Sequence, residues 1–351
     1  MRVLAVLLLL LVLGHGAARA DATAEQSGLQ ARLVEAILVQ TILPDHAALV
    51  GATDRQGQAM RAFCAAPSTE TLAAARGAFR DMVSAFSRVE MYRFGPGRQD
   101  NRLARLNFWP DRRGLGMRQV RRILAEQDAS ATDPDTLRGK SVAVQGLSAL
   151  EQVLFDSRDG TVPDFACRYG MAIAEASHAT ATALRDGWLG QQAALLRHPG
   201  PDNPLYRDRG EALMSLLKAA TEQLVIVEQQ KLGRVLRDGP ASANPLAAPF
   251  RLSGMTLQAV AANIAASRAV LAHPDLDNLF RELDFELAQA QIAIDGALQH
   301  PGGIAVRIAD PATHDLLQYA RIPLRAAVDL HDTRLLPALG LTRGFNALDG
   351  D

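Results

Sequence analysis

Residues 67–90 read PSTETLAAARGAFRDMVSAFSRVE, and their spacing decides the fold class. Leu72, Ala75, Phe79, Met82, Phe86 and Val89 recur at steps of three and four, which puts them on one buried face of an amphipathic helix. Ser68 and Thr69, just after Pro67, can cap its start, because a side-chain oxygen there accepts a backbone N–H that has no partner inside the helix. The same step recurs at Leu213, Leu217, Ala220, Leu224, Val227 and Lys231, and again at Leu276, Leu279, Leu283, Leu287, Ala290, Ile294 and Leu298. Asp133 before Pro134 and Pro163 before Asp164 open two more helices, the second able to run to Trp188. No alternating run of β-branched and polar residues survives the same inspection. The expected fold class is all-α.

Two stretches interrupt the helices. Arg197 to Pro204 contains His198-Pro199-Gly200-Pro201 and Asn203-Pro204, and each proline disfavours helix at the residue before it. The second, Asp238 to Gly254, carries Gly239-Pro240, Asn244-Pro245 and Pro249. The first break divides the chain into an N-terminal helical domain, 21–200, and a C-terminal helical bundle, 201–351, expected to pack side by side. The second break then reads as a long connection inside the C-terminal bundle.

The N-terminus speaks to location. Arg2, an apolar run from Val3 to Leu13 and the small-x-small triplet Ala18-Arg19-Ala20 have the form of a secretory signal peptide, residues 1–20. The run is far shorter than the roughly 20 residues that span a bilayer, so no transmembrane segment is expected and the mature protein should be periplasmic. No cysteine near the cleavage site could accept a lipid. Cleavage takes the formal charge from −1 to −3, which argues against nucleic acid as a partner. Only Lys140, Lys218 and Lys231 are lysines, so most positive charge is arginine, a planar fork suited to carboxylate or phosphate. A GC-rich codon bias would give the same excess. Cys64 and Cys167 form an even count in an exported chain, which favours a disulfide over two buried thiols.

Between Arg93 and Arg122 lie nine arginines against only Asp100 and Asp111, with Phe94-Gly95-Pro96-Gly97 and Phe108-Trp109-Pro110 embedded among them. This reads as a long basic loop, either functional or simply solvated. Just beyond it stands Gly146-Leu147-Ser148-Ala149-Leu150-Glu151. That segment resembles the GxHxxE signature of the imelysin family, also called M75 peptidase-like, with serine in the histidine position. Glu90 to Pro96, Phe108-Trp109-Pro110 and the C-terminal Leu341 to Asp351 resemble further elements of the family in the same order. The resemblance implies an all-helical fold of two bundle-like halves, a site near the motif between them, and a role tied to bacterial iron uptake.

On that resemblance the expected ligand site combines Arg93, Trp109, Gly146, Ser148 and Glu151, joined by Asn346 and Asp349, with Arg93 as the counter-charge to Glu151. Histidine and glutamate three residues apart share a helix face and can both ligate a metal. A neutral hydroxyl is a poorer ligand, which leaves Glu151 alone as the metal candidate. Read without the family, Ser148 and Glu151 could instead form a capping box. Glu175-Ala176-Ser177-His178 is a single Glu-x-x-His, whereas a di-iron bundle needs two, and His314, His331 and Asp332 are scattered.

Peptidase chemistry finds no support, since there is no HExxH, no Gly-x-Ser-x-Gly around Ser148 and no lysine three residues beyond it. The leading expectation is a periplasmic binding or accessory protein of iron acquisition, taking an anionic small ligand or iron chelate through its arginines, with iron as the metal involved. Two other readings stay open. One is a metal-dependent hydrolase or oxidase using Glu151, and the other is a scaffold that docks an exported protein partner through the 93–122 segment.

Overall fold

The computed structural model describes residues 24–156, 161–273 and 281–341. The expected signal peptide, residues 1–20, and Leu276, Leu279, Asn346 and Asp349 lie outside these ranges. Among the described residues every regular element is helical, so the fold is all-α. The first helix, α1, runs Ala24–Ala65 with a π-helical turn at Leu38–Ile42. Then come α2 (Thr69–Val89), the short α3 (Arg102–Leu106), α4 (Leu115–Glu126), α5 (Pro134–Arg138), α6 (Gly146–Phe155) and α7 (Asp164–Gly187). A π turn at Trp188–Gln192 carries α7 into α8 (Ala193–Arg197). After the proline-rich break follow α9 (Arg209–Ile226), a π segment at Val227–Gly233, α10 (Arg234–Leu236), α11 (Thr256–Leu271) and α12 (Arg281–Gln299). The chain continues through α13 (Ile304–Ala309), α14 (Pro311–Leu330) and α15 (Leu336–Ala338).

Local chemistry sets these boundaries. At the start of α2 the Ser68 hydroxyl accepts from Thr71 N–H while the Thr71 hydroxyl accepts from Ser68 N–H, a reciprocal capping box. Asp133 caps α5 through Thr136 N–H at 2.9 Å. The face of α2 that the spacing selected is buried, with Phe79 and Met82 fully enclosed. Each such side chain contributes about 1.5–3 kcal/mol of burial.

Helix α1 packs along α2 and α7. Thr53 meets His178 and Cys64 meets Cys167, so α1 and α7 run antiparallel. The two cysteines form a disulfide that spans 103 residues of sequence. By length and composition α1 could cross a membrane, a property the sequence expectation had not assigned to it. It is nevertheless a core helix, because Leu33, Ile37, Leu49 and Met60 are enclosed by protein together with the polar His46, Thr53 and Gln56. Beyond the break, α12 lies along α14, and α11 packs against α9, α12 and, from the other half, α2. Buried apolar side chains of both halves form one continuous cluster.

Candidate functional site

Helix α6 begins at Gly146, whose φ of +64° lies in the left-handed region that favours glycine. A Cβ there would run into the backbone carbonyls of Arg105 and Leu106. Two residues on, the Ser148 hydroxyl accepts from Phe108 N–H at 3.0 Å and can donate to Asn107 Oδ1 at 3.1 Å or to the Phe108 carbonyl at 3.2 Å. Ser148 thus fastens the Asn107–Phe108 segment and does not cap α6, whose N-cap is Gln145 with no side-chain bond to the helix. The capping-box alternative is therefore replaced by a clamp on a neighbouring loop.

Glu151, buried, faces the opposite wall. Its Oε1 accepts from Ser253 N–H at 2.9 Å and from the Ser253 hydroxyl at 2.6 Å. Burial pushes its carboxyl above the ordinary value, partly offset by the two Ser253 bonds and by the nearby charge of Arg251. Between these walls opens a cleft of about 420 Å³ lined by Trp109, Ser148 and Glu151, with Phe108, Phe250 and Met117 supplying apolar surface. Phe250 holds φ at +52°, a costly conformation for an aromatic residue. A second hollow, about 480 Å³ between α12 and α14, draws its lining from two helices only and gathers no buried polar group.

The cleft's carboxylates are occupied. Asp111 accepts from Leu115 and Met117 N–H at the start of α4, Asp156 pairs with Arg121 at 3.3 Å, and Glu151 is held by Ser253. Its guanidiniums are not, since Arg112, Arg234 and Arg251 line the cleft and make no ion pair among the described residues. Arg93 is elsewhere. Exposed, it acts electrostatically on Glu90, Lys231 and Glu222, and Arg251 takes the place beside Glu151 that the sequence reading gave to Arg93.

Behind Trp109 lies a buried ion pair. Lys231, enclosed at 1% exposure, bonds Glu90 and also donates to Asn263 Oδ1 at 2.7 Å, while Gln223 donates to Glu90 at 2.8 Å. Burial alone would push the Glu90 carboxyl up. The charges of Lys231 and Arg93 with the bonds from Lys231 and Gln223 outweigh it and hold the carboxyl below its ordinary value. The Lys231 ammonium sits 5.7 Å from the centre of the Trp109 ring. This network joins α2, the π segment after α9, and α11.

The basic segment is not one loop. It folds into 3-10 turns, α3 and α4, and several of its arginines bind the protein itself. Arg105 donates to the Asp100 and Arg138 carbonyls at 2.8 and 2.7 Å, and Arg122 pairs with Glu126. The scattered candidates also separate. Glu175 lies 3.7 Å from Arg61, whereas His178 bonds Thr53, so the two share no site. His314 contacts the Leu236 carbonyl and His331 contacts Asp332.

A family model described as imelysin, peptidase M75, matches residues 42–327. The chain belongs to the imelysin family. Iron-regulated protein A of Synechococcus elongatus is 22% identical over 327 residues, covering 87% of this chain and 85% of the relative. An imelysin-like protein from Psychrobacter arcticum superposes with a TM-score of 0.75 at 21% identity, covering 91% of this chain and 98% of its own. An iron-regulated protein A precursor from Parabacteroides distasonis gives 0.69 at 17%, covering 87% and 94%. At these identities the structures establish the fold alone.

Ser148 is committed to the Asn107–Phe108 segment, Glu151 to Ser253, and no group of three or more His, Cys, Asp or Glu side chains placed to hold an ion occurs among the described residues. Sequence reasoning missed Arg234, Arg251, Phe250 and Ser253. The Pro/Gly punctuation of 238–254 was the available signal, because an irregular stretch that long is often a binding wall.

Proposed function

We propose that this protein is an exported binding or accessory protein of iron acquisition or handling, without peptidase activity. Its ligand is an anionic chelator or the iron chelate it forms, with iron as cargo. One observation carries the reading: in the cleft beside the motif every carboxylate has a hydrogen-bond or ion-pair partner, while the exposed Arg112 and Arg234 make no ion pair among the described residues and Arg251 has only the through-space charge of Glu151. Guanidinium groups bind carboxylate or phenolate oxygens through paired hydrogen bonds, so unmatched arginines around a cavity call for an anion. The signal-like N-terminus, the Cys64–Cys167 disulfide and relatives named as iron-regulated support export and the iron link.

Calorimetric titration with ferric citrate tests this, using the purified protein and an Arg234→Ala/Arg251→Ala variant, with metal analysis by mass spectrometry alongside. Ligand-dependent iron uptake that the double variant loses is the expected result. Iron retained without chelator and lost in Glu151→Ala would replace this reading with a resident metal site. Cleavage of casein by the wild type and not by Glu151→Gln would return the protein to the hydrolases.

A further inference from the structure

We propose that the outer face of α12 and α14 docks a second copy of this chain about a two-fold axis. Of the ten large apolar side chains that stand exposed among the described residues, four lie on these two helices: Phe285 at 58%, Ile292 at 62%, Tyr319 at 47% and Ile322 at 58%. Their positions make them one patch. Phe285 and Ile292 are two turns apart and share a face of α12, while Tyr319, Ile322, Ala326 and Asp329 share a face of α14. The hollow between the helices sets residues 281–286 beside 326–330, and a Cβ on Gly296 would stand 2.9 Å from Leu316 Cδ2. The two helices are therefore antiparallel, and Ile292 is level with the turn that carries Tyr319 and Ile322. A contiguous apolar face of this kind is a mark of association.

Shape and charge identify what covers it. A two-fold axis parallel to the helices lays α12 of each copy on α14 of the other, in the antiparallel register that already holds within one chain. Phe285 then meets the small Ala326 of the second copy, and Ile292 meets its Tyr319 and Ile322. The charges match in the same register. Arg281, one turn before Phe285, faces Asp329 of the second copy, and neither residue makes an ion pair among the described residues. At the other end Gln299 faces Asp315 of the second copy, an amide donor against a carboxylate. An anionic membrane suits the face poorly, because Glu282, Glu286, Asp315 and Asp329 outnumber Arg281 and Arg325 on and around it.

The size is adequate. Helix α12 has 19 residues and α14 has 20, so side by side they present roughly 500–600 Å² in projection. Corrugation by side chains brings the accessible area toward the about 800 Å² that each partner of a stable interface buries. No residue lining the cleft belongs to α12 or α14, so pairing leaves the cleft of each copy open.

Sedimentation velocity of the purified protein over a range of concentrations tests this. Expected is a dimer that dissociates to monomer on dilution. Phe285→Ser/Ile322→Ser should raise its dissociation constant about a hundredfold or more. Both side chains are exposed within one chain, so circular dichroism should show the helix content unchanged. Arg281→Glu should weaken the dimer about tenfold, and Arg281→Glu/Asp329→Arg should recover most of that loss, because the reversed pair matches across the same axis. A monomer at every concentration overturns the proposal, and so does a dimer indifferent to Phe285→Ser/Ile322→Ser. Failure of the reversed pair to recover association overturns the two-fold arrangement. Flotation with phosphatidylglycerol vesicles by the wild type, lost in Phe285→Ser/Ile322→Ser, would give the face to lipid instead.

Discussion

Replacing Lys231 with methionine removes one charge from a pair that has no water to fall back on. Lys231 is 1% exposed and Glu90 5%, and the ammonium is the carboxylate's main source of compensating charge. In Lys231→Met the carboxylate keeps the 2.8 Å bond from Gln223 and the more distant charge of Arg93, while Asn263 Oδ1 loses its 2.7 Å donor. Breaking a buried pair from one side costs about 3–5 kcal/mol, because the remaining charge stays desolvated. Glu90→Leu/Lys231→Met removes both charges and should cost less than Lys231→Met alone. Urea unfolding of the wild type, both single variants and the double variant gives the four corners of the cycle. The pH dependence has a definite sign. In the wild type the Glu90 carboxyl is held below its ordinary value, so its contribution is present above that value and fades as pH falls through the folded one. Without Lys231, burial instead favours the protonated acid, and the variant weakens as pH rises. The gap between wild type and Lys231→Met should therefore widen from about pH 4 to pH 7. A loss under about 1 kcal/mol at pH 7, or a gap that does not change with pH, would refute the buried-pair argument.

Three further outcomes are expected. Gly146→Ala places a Cβ against the Arg105 and Leu106 carbonyls at a φ of +64°, and should cost about 2 kcal/mol or more in denaturant unfolding, whereas Gly77→Ala, inside α2 with open space at its Cβ, serves as control. Reducing the Cys64–Cys167 bridge frees a loop spanning 103 residues, which the chain-entropy model values at about 4–5 kcal/mol, and an unchanged melting temperature under reductant would contradict it. For Glu151, whose carboxyl is raised by burial, the stabilising contribution is present below the ordinary carboxyl value and lost as pH rises through the folded one. Glu151→Gln keeps an acceptor for Ser253, so it should match the wild type near pH 4 and exceed it in stability at pH 7, as followed by thermal unfolding.

The helices were legible because each buries a face, and a buried face writes its period into the chain. The stripe Leu213, Leu217, Ala220, Leu224, Val227 is enclosed throughout, and its last member, Lys231, is enclosed as well. A lysine in an apolar register was thus a readable sign of a buried charge, though nothing local named Glu90, 141 residues away, as its partner. The cap at Ser68 was legible for the same local reason, though its reciprocal bond with Thr71 was not. The cleft was not, because its pairings are long-range. Ser253 stands 102 residues from Glu151, and Phe108 stands 40 from Ser148. No periodicity links such positions, and the wall at 244–252 reads from sequence only as a proline-rich break. The π turns were equally silent, since one extra residue per turn shifts the stripe without erasing it.

Gly146, Ser148 and Glu151 make sense together as the hinge of the cleft. Gly146 admits the carbonyls of Arg105 and Leu106, and Ser148 holds Asn107 and Phe108 through a hydroxyl small enough to sit against that backbone. Both positions seat the wall that carries Phe108, Trp109 and Arg112. One turn along α6, Glu151 grips Ser253 and thereby fixes the opposite wall, which carries Phe250 and Arg251. Trp109 is then held from behind by Lys231, whose partners reach α2 and α11 across the two halves. The two walls of the cleft are consequently tied together by one short helix and backed by one buried ion pair.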